Sequence, residues 1–566
     1  MNTYDVIIRG GTIVDGLGGK PYSADIALQD GVIKSIGTIE GKGREEVDAT
    51  GCIVTPGFVD IHTHFDGQAT WASRMAPASN HGVTTVIAGN CGVGFAPCRE
   101  DDREELIKLM EGVEDIPGVV MSEGLPWAWT SFPEYMDYLS ARTFDVNIGV
   151  QVPHAPLRVF VMGQRGLDRE PATMQDIAAM QSLVSEAVQA GAFGVSTSRS
   201  LNHRSSEYNL MPGVSAAEAE LIGLARGVAA AGRGVFQCIT DFAETRSEFQ
   251  LLERVVTDSG IPLSFSLMQI PGASQRWEEI LDLLEEANGR GVNMKGQVYP
   301  RPIGVILGLE FAWNLFSLTP TYQTFADLPF EQRLEKMQDP AVRKAILGEY
   351  PCESMNPIAM ALNNLGNVFV MQDEPDYIPK EDQSLVHLAQ AEGVAPAEYA
   401  YDVMIANGGK GVFYVPALNY ADKSPEPINR MLSHDCTLYG LGDGGAHVGI
   451  ICDASAPTYL LSRLTGEGEG KVFTIEQAIN FLTHRNAAAM GIDDRGSLEI
   501  GKAADLNIID LETLKLETPY MVYDLPLGGG RLHQDASGYI ATFVSGVATY
   551  LHGQPTGQLP GRLLRN

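Results

Sequence analysis

Between residues 57 and 441, eight short apolar runs alternate with segments of helical periodicity, and no other feature of this chain narrows its fold so far. The runs are Gly57 to Ile61, Thr84 to Ala88, Val146 to Val152, Gly194 to Ser196, Gly234 to Cys238, Pro262 to Ser266, Asn293 to Val298 and Thr437 to Leu441. Strands separated by helices pair in parallel, because each crossover helix covers one face of the sheet and returns the chain to the same edge. Eight such units predict an α/β fold of the TIM (β/α)8 barrel type, in which functional groups collect at the C-terminal strand ends.

Both ends of the chain read differently. Short β-type runs, Tyr4 to Arg9, Gly11 to Val14, Ala24 to Gln29, Val32 to Ile36 and Glu46 to Asp48, are punctuated by Gly-Gly and Asp-Gly turns. The C-terminal part repeats the pattern in Gly501 to Asp510, Tyr539 to Val544 and Gly546 to Tyr550. Chain termini tend to lie near each other, so these runs predict one small β-sandwich built from residues 1–56 and 491–566. The barrel then occupies 57–490. It is interrupted at about 301–411 by a stretch too long for one βα connection, with helix patterns at Phe330 to Met337 and Gln383 to Ala391. A lid over the barrel mouth is the expected role of that insertion.

The 566 residues include 40 basic and 71 acidic side chains, a net charge of -31 that argues against nucleic acid and against anionic membrane surfaces as partners. The N-terminal segment has no basic, apolar leader pattern, and no later segment is apolar for the length of a membrane span. A soluble, cytoplasmic protein acting on a small molecule is expected. Seven cysteines at 52, 91, 98, 238, 352, 436 and 452, without CxxC pairs, suit reduced thiols. Large barrels often assemble, and a homo-oligomer is compatible with the sequence, although no interface is visible in it.

The first barrel run ends in His62-Thr63-His64, which places two imidazoles on one face because side chains two apart in a strand point the same way. Imidazole nitrogens suit zinc and its first-row neighbours, and a strand end holds them rigidly. Asp66 follows and is placed to support them. Cys91 closes the second run, where a thiolate sits beside the histidines in a barrel, although a buried structural cysteine fits the same position. Asp443, among the glycines of Gly442-Asp443-Gly444-Gly445, closes the eighth. A carboxylate there can bind a metal and take a proton from water. His447, four residues on, is placed to polarise a carbonyl or to orient Asp443.

These motifs resemble the amidohydrolase superfamily and, within it, the N-acyl-D-amino-acid deacylase (D-aminoacylase) family. The resemblance runs through Pro56-Gly57-Phe58-Val59-Asp60-Ile61-His62-Thr63-His64, Gly82-Val83-Thr84-Thr85, Gly89-Asn90-Cys91-Gly92 and Val152-Pro153-His154-Ala155-Pro156-Leu157-Arg158. It continues through Gly194-Val195-Ser196-Thr197, the Asp443 strand end and Gly496 to Asp505. It implies a metal-dependent barrel with a small β-sandwich from both termini, and hydrolysis of an amide bond. A cysteine after the second strand then takes the place of the bridging lysine common elsewhere in the superfamily, with His154 backing the metal site.

The same resemblance implies metal-binding histidines at the ends of the fifth and sixth strands, and this chain has none there. Its eleven histidines stand at 62, 64, 81, 154, 203, 387, 434, 447, 484, 533 and 552. His62, His64, Cys91 and Asp443 therefore define a site for one Zn2+, with another divalent metal as the alternative, and Cys238 and Asp241 as conceivable replacements for the missing ligands. Lys295 is misplaced for the bridging role and reads as structural.

After the fourth strand, Arg199, His203 and Arg204 occupy the expected substrate loop, and Arg301 follows the seventh. Arginine forks hold carboxylates in bidentate fashion. The expected activity is metal-dependent hydrolysis of an N-acyl amino acid, including the D series, with Asp443 as proton acceptor and donor. A cyclic-amide or lactone hydrolase of hydantoinase type, and a metal-free relative that kept only the fold, are the alternatives.

Overall fold

The computed structural model describes residues 3–352, 361–466, 468 and 470–566. The strand Val83–Ala88 is buried at every position, as a strand covered on both faces must be. It pairs in parallel with Phe58–Asp60 on one side and Asn147–Val150 on the other. One residue later, Val152–Pro153 begins a second parallel run through Gly194–Arg199, Val235–Thr240, Leu263–Ser266, Met294–Val298 and Thr437–Tyr439. The ring closes beyond the last strand, where Asp443 N donates to His62 O at 3.0 Å and His64 N donates to Gly444 O at 2.8 Å. All eight predicted runs are strands, in sequence order, around this parallel ring.

Amphipathic helices return the chain between them. Met174–Gln189 starts with a capping box in which Thr173 and Asp176 satisfy each other's backbone N–H groups. It packs on Glu218–Ala230, and that helix on Thr245–Ser259. No helix among the described residues is long and apolar enough to cross a membrane.

The ends of the chain do meet, but not as two separate sheets. Hydrogen bonding joins Thr3–Ile13, Tyr22–Gln29, Val32–Gly37, Lys42–Asp48 and Ile53–Pro56 to Leu506–Ile509, Tyr539–Val544, Val547–Leu551 and Gln554–Pro555 in one nine-stranded sheet. The seam is Ile53–Pro56, parallel to the first strand and antiparallel to Leu506–Ile509. The sheet curls back on itself, since Ile33 N bonds Lys502 O and Ala504 N bonds Gly31 O, both at 2.9 Å. Its enclosed face holds one core that includes Ile8, Ile26, Leu28, Val54, Ile508 and Phe543.

The insertion carries its own core around Phe316, Tyr322, Met337, Ile346, Tyr401 and Phe413. Helices Phe330–Gln338 and Leu385–Glu392 occupy the two predicted helical patterns. Strands Ile303–Gly308 and Val412–Leu418 pair antiparallel and contribute Ile303, Val305, Ala417 and Leu418 to the wall of the cavity at the barrel mouth.

Candidate metal centre

One nitrogen from each of His62 and His64 and the sulfur of Cys91 lie within 4.8 Å of one another, all buried. His62 Nε2 is 3.3 Å from Cys91 Sγ and 3.4 Å from Asp443 Oδ1, and His64 Nε2 is 3.7 Å from the same oxygen. Each donor is fixed by its neighbours. His62 Nδ1 lies 2.6 Å from Gln297 Oε1, and Gln297 Nε2 donates to Ser264 Oγ at 2.9 Å. Because an amide oxygen only accepts, His62 carries its proton on Nδ1 and turns an unprotonated Nε2 toward Cys91 and Asp443. Cys91 sits in the left-handed region at φ +53°, and its N–H donates to Gln237 Oε1 at 2.9 Å. Asp443 is also left-handed at φ +46°. Such conformations are costly for non-glycine residues and gather where the surrounding structure imposes them. At Gly442, beside it, a Cβ would stand 2.2 Å from Asp60 Oδ2, so a larger residue there must displace that carboxylate.

Burial sets the charge state of these groups. It pushes the His62 imidazole down to about 4 and His64 well below the ordinary range. It pushes the Asp443 carboxyl up to about 7. The Cys91 thiol rises well above its usual value through burial and then through Glu114 and Asp443, and Glu114 rises through burial, Asp443 and Asp66. Neutral imidazoles are the form that coordinates, and a divalent cation reverses the shift of a clustered thiol and carboxylate. His64 Nδ1 is buried without a hydrogen-bond partner. The donor set thus fits a divalent metal held by His62, His64, Cys91 and Asp443.

The centre opens onto a cavity of about 310 Å3. Glu114, the last residue of the helix Arg103–Glu114, lines it with Oε1 3.3 Å from His64 Nδ1 and Oε2 3.7 Å from His447 Nε2. The ends of the fifth and sixth strands present Ile239, Thr240, Asp241 and Phe242, then Ser266, Leu267 and Met268. Arg276 is the one arginine or lysine among the cavity-lining residues described, and its Nη1 donates to the backbone oxygen of Asp241 at 2.8 Å.

The chain matches the amidohydrolase family over residues 45–556. It belongs to that family. Over 99% of its length this amidohydrolase is 25% identical to D-aminoacylase of Alcaligenes xylosoxydans xylosoxydans, covering 97% of that protein. The solved structure of D-aminoacylase is similar with a TM-score of 0.66 at 22% identity, both chains covered in full. N-acyl-D-glutamate deacylase of Bordetella bronchiseptica, solved with zinc and a phosphonate inhibitor, gives 0.65 at 23% with the same coverage. At that identity the two structures establish the fold. As a member of the amidohydrolase family, the chain is a hydrolase acting on amide bonds.

Of the residues singled out by sequence, the amidohydrolase fold brings His62, His64, Cys91, Asp443, His447 and His203 to one cavity. Three arginines are not brought there. Arg199 is ion-paired with Glu248 and bonds Ala216 O; Arg204 donates to Tyr208 O within its own loop. Arg301 is buried against Tyr377 and Asp453. Glu248 and Asp453 meet the charges of Arg199 and Arg301, and none of the three lines the cavity, whereas Arg276 does. His154 does not support the metal ligands either, as its nitrogens are held by Thr197 Oγ1 at 2.8 Å and Glu220 Oε1 at 3.0 Å. Cys238 is packed in the core, and the Asp241 carboxylate accepts from Ser200 Oγ and Leu201 N. Glu114 and Arg276 carried no local signal, and Gln237 and Gln297 were marked only by their phase on their strands.

Proposed function

We propose that this amidohydrolase cleaves the amide bond of an N-acyl amino acid, including the D series, using one zinc ion. The carrying observation is the convergence of His62 Nε2, His64 and Cys91 Sγ beside Asp443 at one cavity, to which the fifth and sixth strand ends present no imidazole. The one carboxylate there, Asp241, is engaged by Ser200 Oγ and Leu201 N, which supports a single ion.

A metal held by His62, His64, Cys91 and Asp443 would supply an acidified water and a polarised carbonyl. Asp443, whose carboxylate faces the cavity, is placed to take a proton from water and return it to the leaving amine. His447 faces the same space and is placed to bond the substrate carbonyl. Arg276 supplies a fork for the free carboxylate of the amino acid. Ile239, Phe242, Leu267 and Ile303 surround the remainder with apolar surface, and about 310 Å3 is at the small end of ligand-site volumes. The D-aminoacylase relative supports the acyl-amino-acid class.

A panel of N-acetyl amino acids of both hands, assayed with and without chelator on protein of measured metal content, tests this reading. Expected are acetate and free amino acid from at least one member, about one zinc per chain and loss of turnover on chelation. Turnover undiminished in metal-free protein would overturn it.

A further inference from the structure

A second cavity, of about 770 Å3, opens at the opposite end of the barrel. Its lining comes from the N-terminal ends of the fifth to eighth strands and from the helix His484–Ala489. Arg233, Lys295, Arg485 and His484 line it, with Asp435 as the one acidic side chain. In a chain of net charge -31 this is a local inversion of sign.

Arg290 and Arg226, also near this end of the molecule, pair with Glu253 and Asp258. The three here do not. Among the described residues, no carboxylate, including that of the terminal residue Asn566 which also lines the cavity, lies within 4.0 Å of the charged groups of Arg233, Lys295 or Arg485. Lys295 Nζ donates to the backbone oxygen of Asp435 at 2.8 Å and Arg485 Nη2 to that of His434 at 2.6 Å. Arg233 makes no hydrogen bond among the described residues. Backbone oxygens satisfy single donors without neutralising the charge, and the remaining guanidinium and ammonium donors are free to meet an anion.

We propose that this cavity binds a small oxyanion, a phosphate or carboxylate group borne by a metabolite-sized molecule, between Arg233, Lys295 and Arg485. The chemistry follows from the donors, since guanidinium forks match the planar or tetrahedral oxygens of such groups and the ammonium adds a point charge. The volume admits a molecule rather than a bare ion. A nucleic acid is a poor occupant, because the strongly negative chain around the cavity repels a long polyanion. This site stands whether or not the catalytic reading does.

The test is isothermal titration of the metal-loaded full chain with inorganic phosphate and, separately, with succinate, at ionic strength held constant with sodium chloride. Saturable binding of phosphate is expected, weakened about tenfold or more in Arg233→Ala/Lys295→Met. Lys20→Ala/Lys42→Met removes the same charge from exposed positions and is expected to leave the affinity within about twofold. The single charge reversal Lys295→Glu, at a partly exposed position, is the second variant should the double one not fold, and is expected to abolish binding. Succinate bound with the same dependence extends the site to carboxylates; no response to succinate confines it to phosphates, and either supports the proposal. It is overturned if neither anion binds saturably, if the surface variant weakens binding as much as Arg233→Ala/Lys295→Met, or if binding survives in the latter and vanishes with the metal.

Discussion

His62 Nδ1 and Gln297 Oε1 stand 2.6 Å apart, and that single contact decides which nitrogen of His62 faces the other ligands. Ser264 completes the device by accepting from Gln297 Nε2, which fixes the amide with its oxygen toward the imidazole. Gln297→Leu removes the acceptor at little cost in volume and frees the ring to exchange tautomers and tilt. Groups in this position are worth about 10–100-fold in metal affinity. Competition against a chromogenic chelator should show a loss in that range, with the circular dichroism spectrum unchanged. Ser264→Ala should show a smaller loss, because it loosens the amide without removing it.

Metal affinity should depend on pH through the thiol and the carboxyl rather than the histidines. His62, depressed to about 4, is already neutral above pH 5, and burial holds His64 well below its ordinary range as well. Cys91 is raised well above its usual value and must lose a proton on binding at any pH below that value, while Asp443, raised to about 7, must lose one mainly below pH 7. Binding therefore releases about two protons near pH 6 and about one near pH 8. The logarithm of the affinity should rise with a slope of about two below pH 7 and flatten toward one above it. Calorimetry in buffers of different ionisation enthalpy counts the protons directly. A release that is constant, or that grows with pH, contradicts the assignment of Asp443.

Arg276 is distinguished from the other arginines by facing the cavity without a carboxylate partner among the described residues. Arg276→Met should raise KM for an N-acyl amino acid by about 10–100-fold, the value of charged hydrogen bonds lost on the substrate carboxylate. The decisive comparison uses the corresponding N-acyl amino acid amide, which lacks the charge. The ratio of kcat/KM between acid and amide should collapse in the variant; a variant that loses both equally has lost packing, not recognition.

The barrel was legible because its strands are continuous apolar runs, and a parallel strand buried on both faces leaves no other pattern. The convergence of the candidate ligands was legible for a related reason: His62, His64, Cys91 and Asp443 all sit at strand ends, where the fold itself specifies direction. The substrate side was not. Whether Arg199 reaches the cavity depends on Glu248, 49 positions away, which captures it. Arg276 is recruited because its helix begins beside the Asp241 carbonyl. Glu114 was one acidic residue among 71, placed against His64 and His447 by a helix end that no spacing rule anticipates. Long-range partners decide the fate of a flexible charged side chain, and a sequence records the side chain without recording the partner.

Arg301 separates a structural arginine from a substrate-binding one. Its guanidinium is fully buried, with Cζ 3.5 Å from the Tyr377 ring centroid and Nη2 3.2 Å from Asp453 Oδ1. Asp453 is already raised to about 6 by burial, with Arg301 opposing the rise. Arg301→Met removes that opposition and leaves a buried carboxylate uncompensated, at a cost of about 3–5 kcal/mol. The sign with pH follows from the proton. In the variant the folded protein holds Asp453 protonated well above the unfolded value of about 3.9, so the folded state binds more protons across that window and stability falls as pH rises through it. The deficit against the parent protein should be largest at pH 8 and smaller at pH 5, by urea denaturation at each. KM should not move, because Arg301 does not line the cavity. A raised KM with undiminished stability would return Arg301 to the substrate and displace Arg276 from that role.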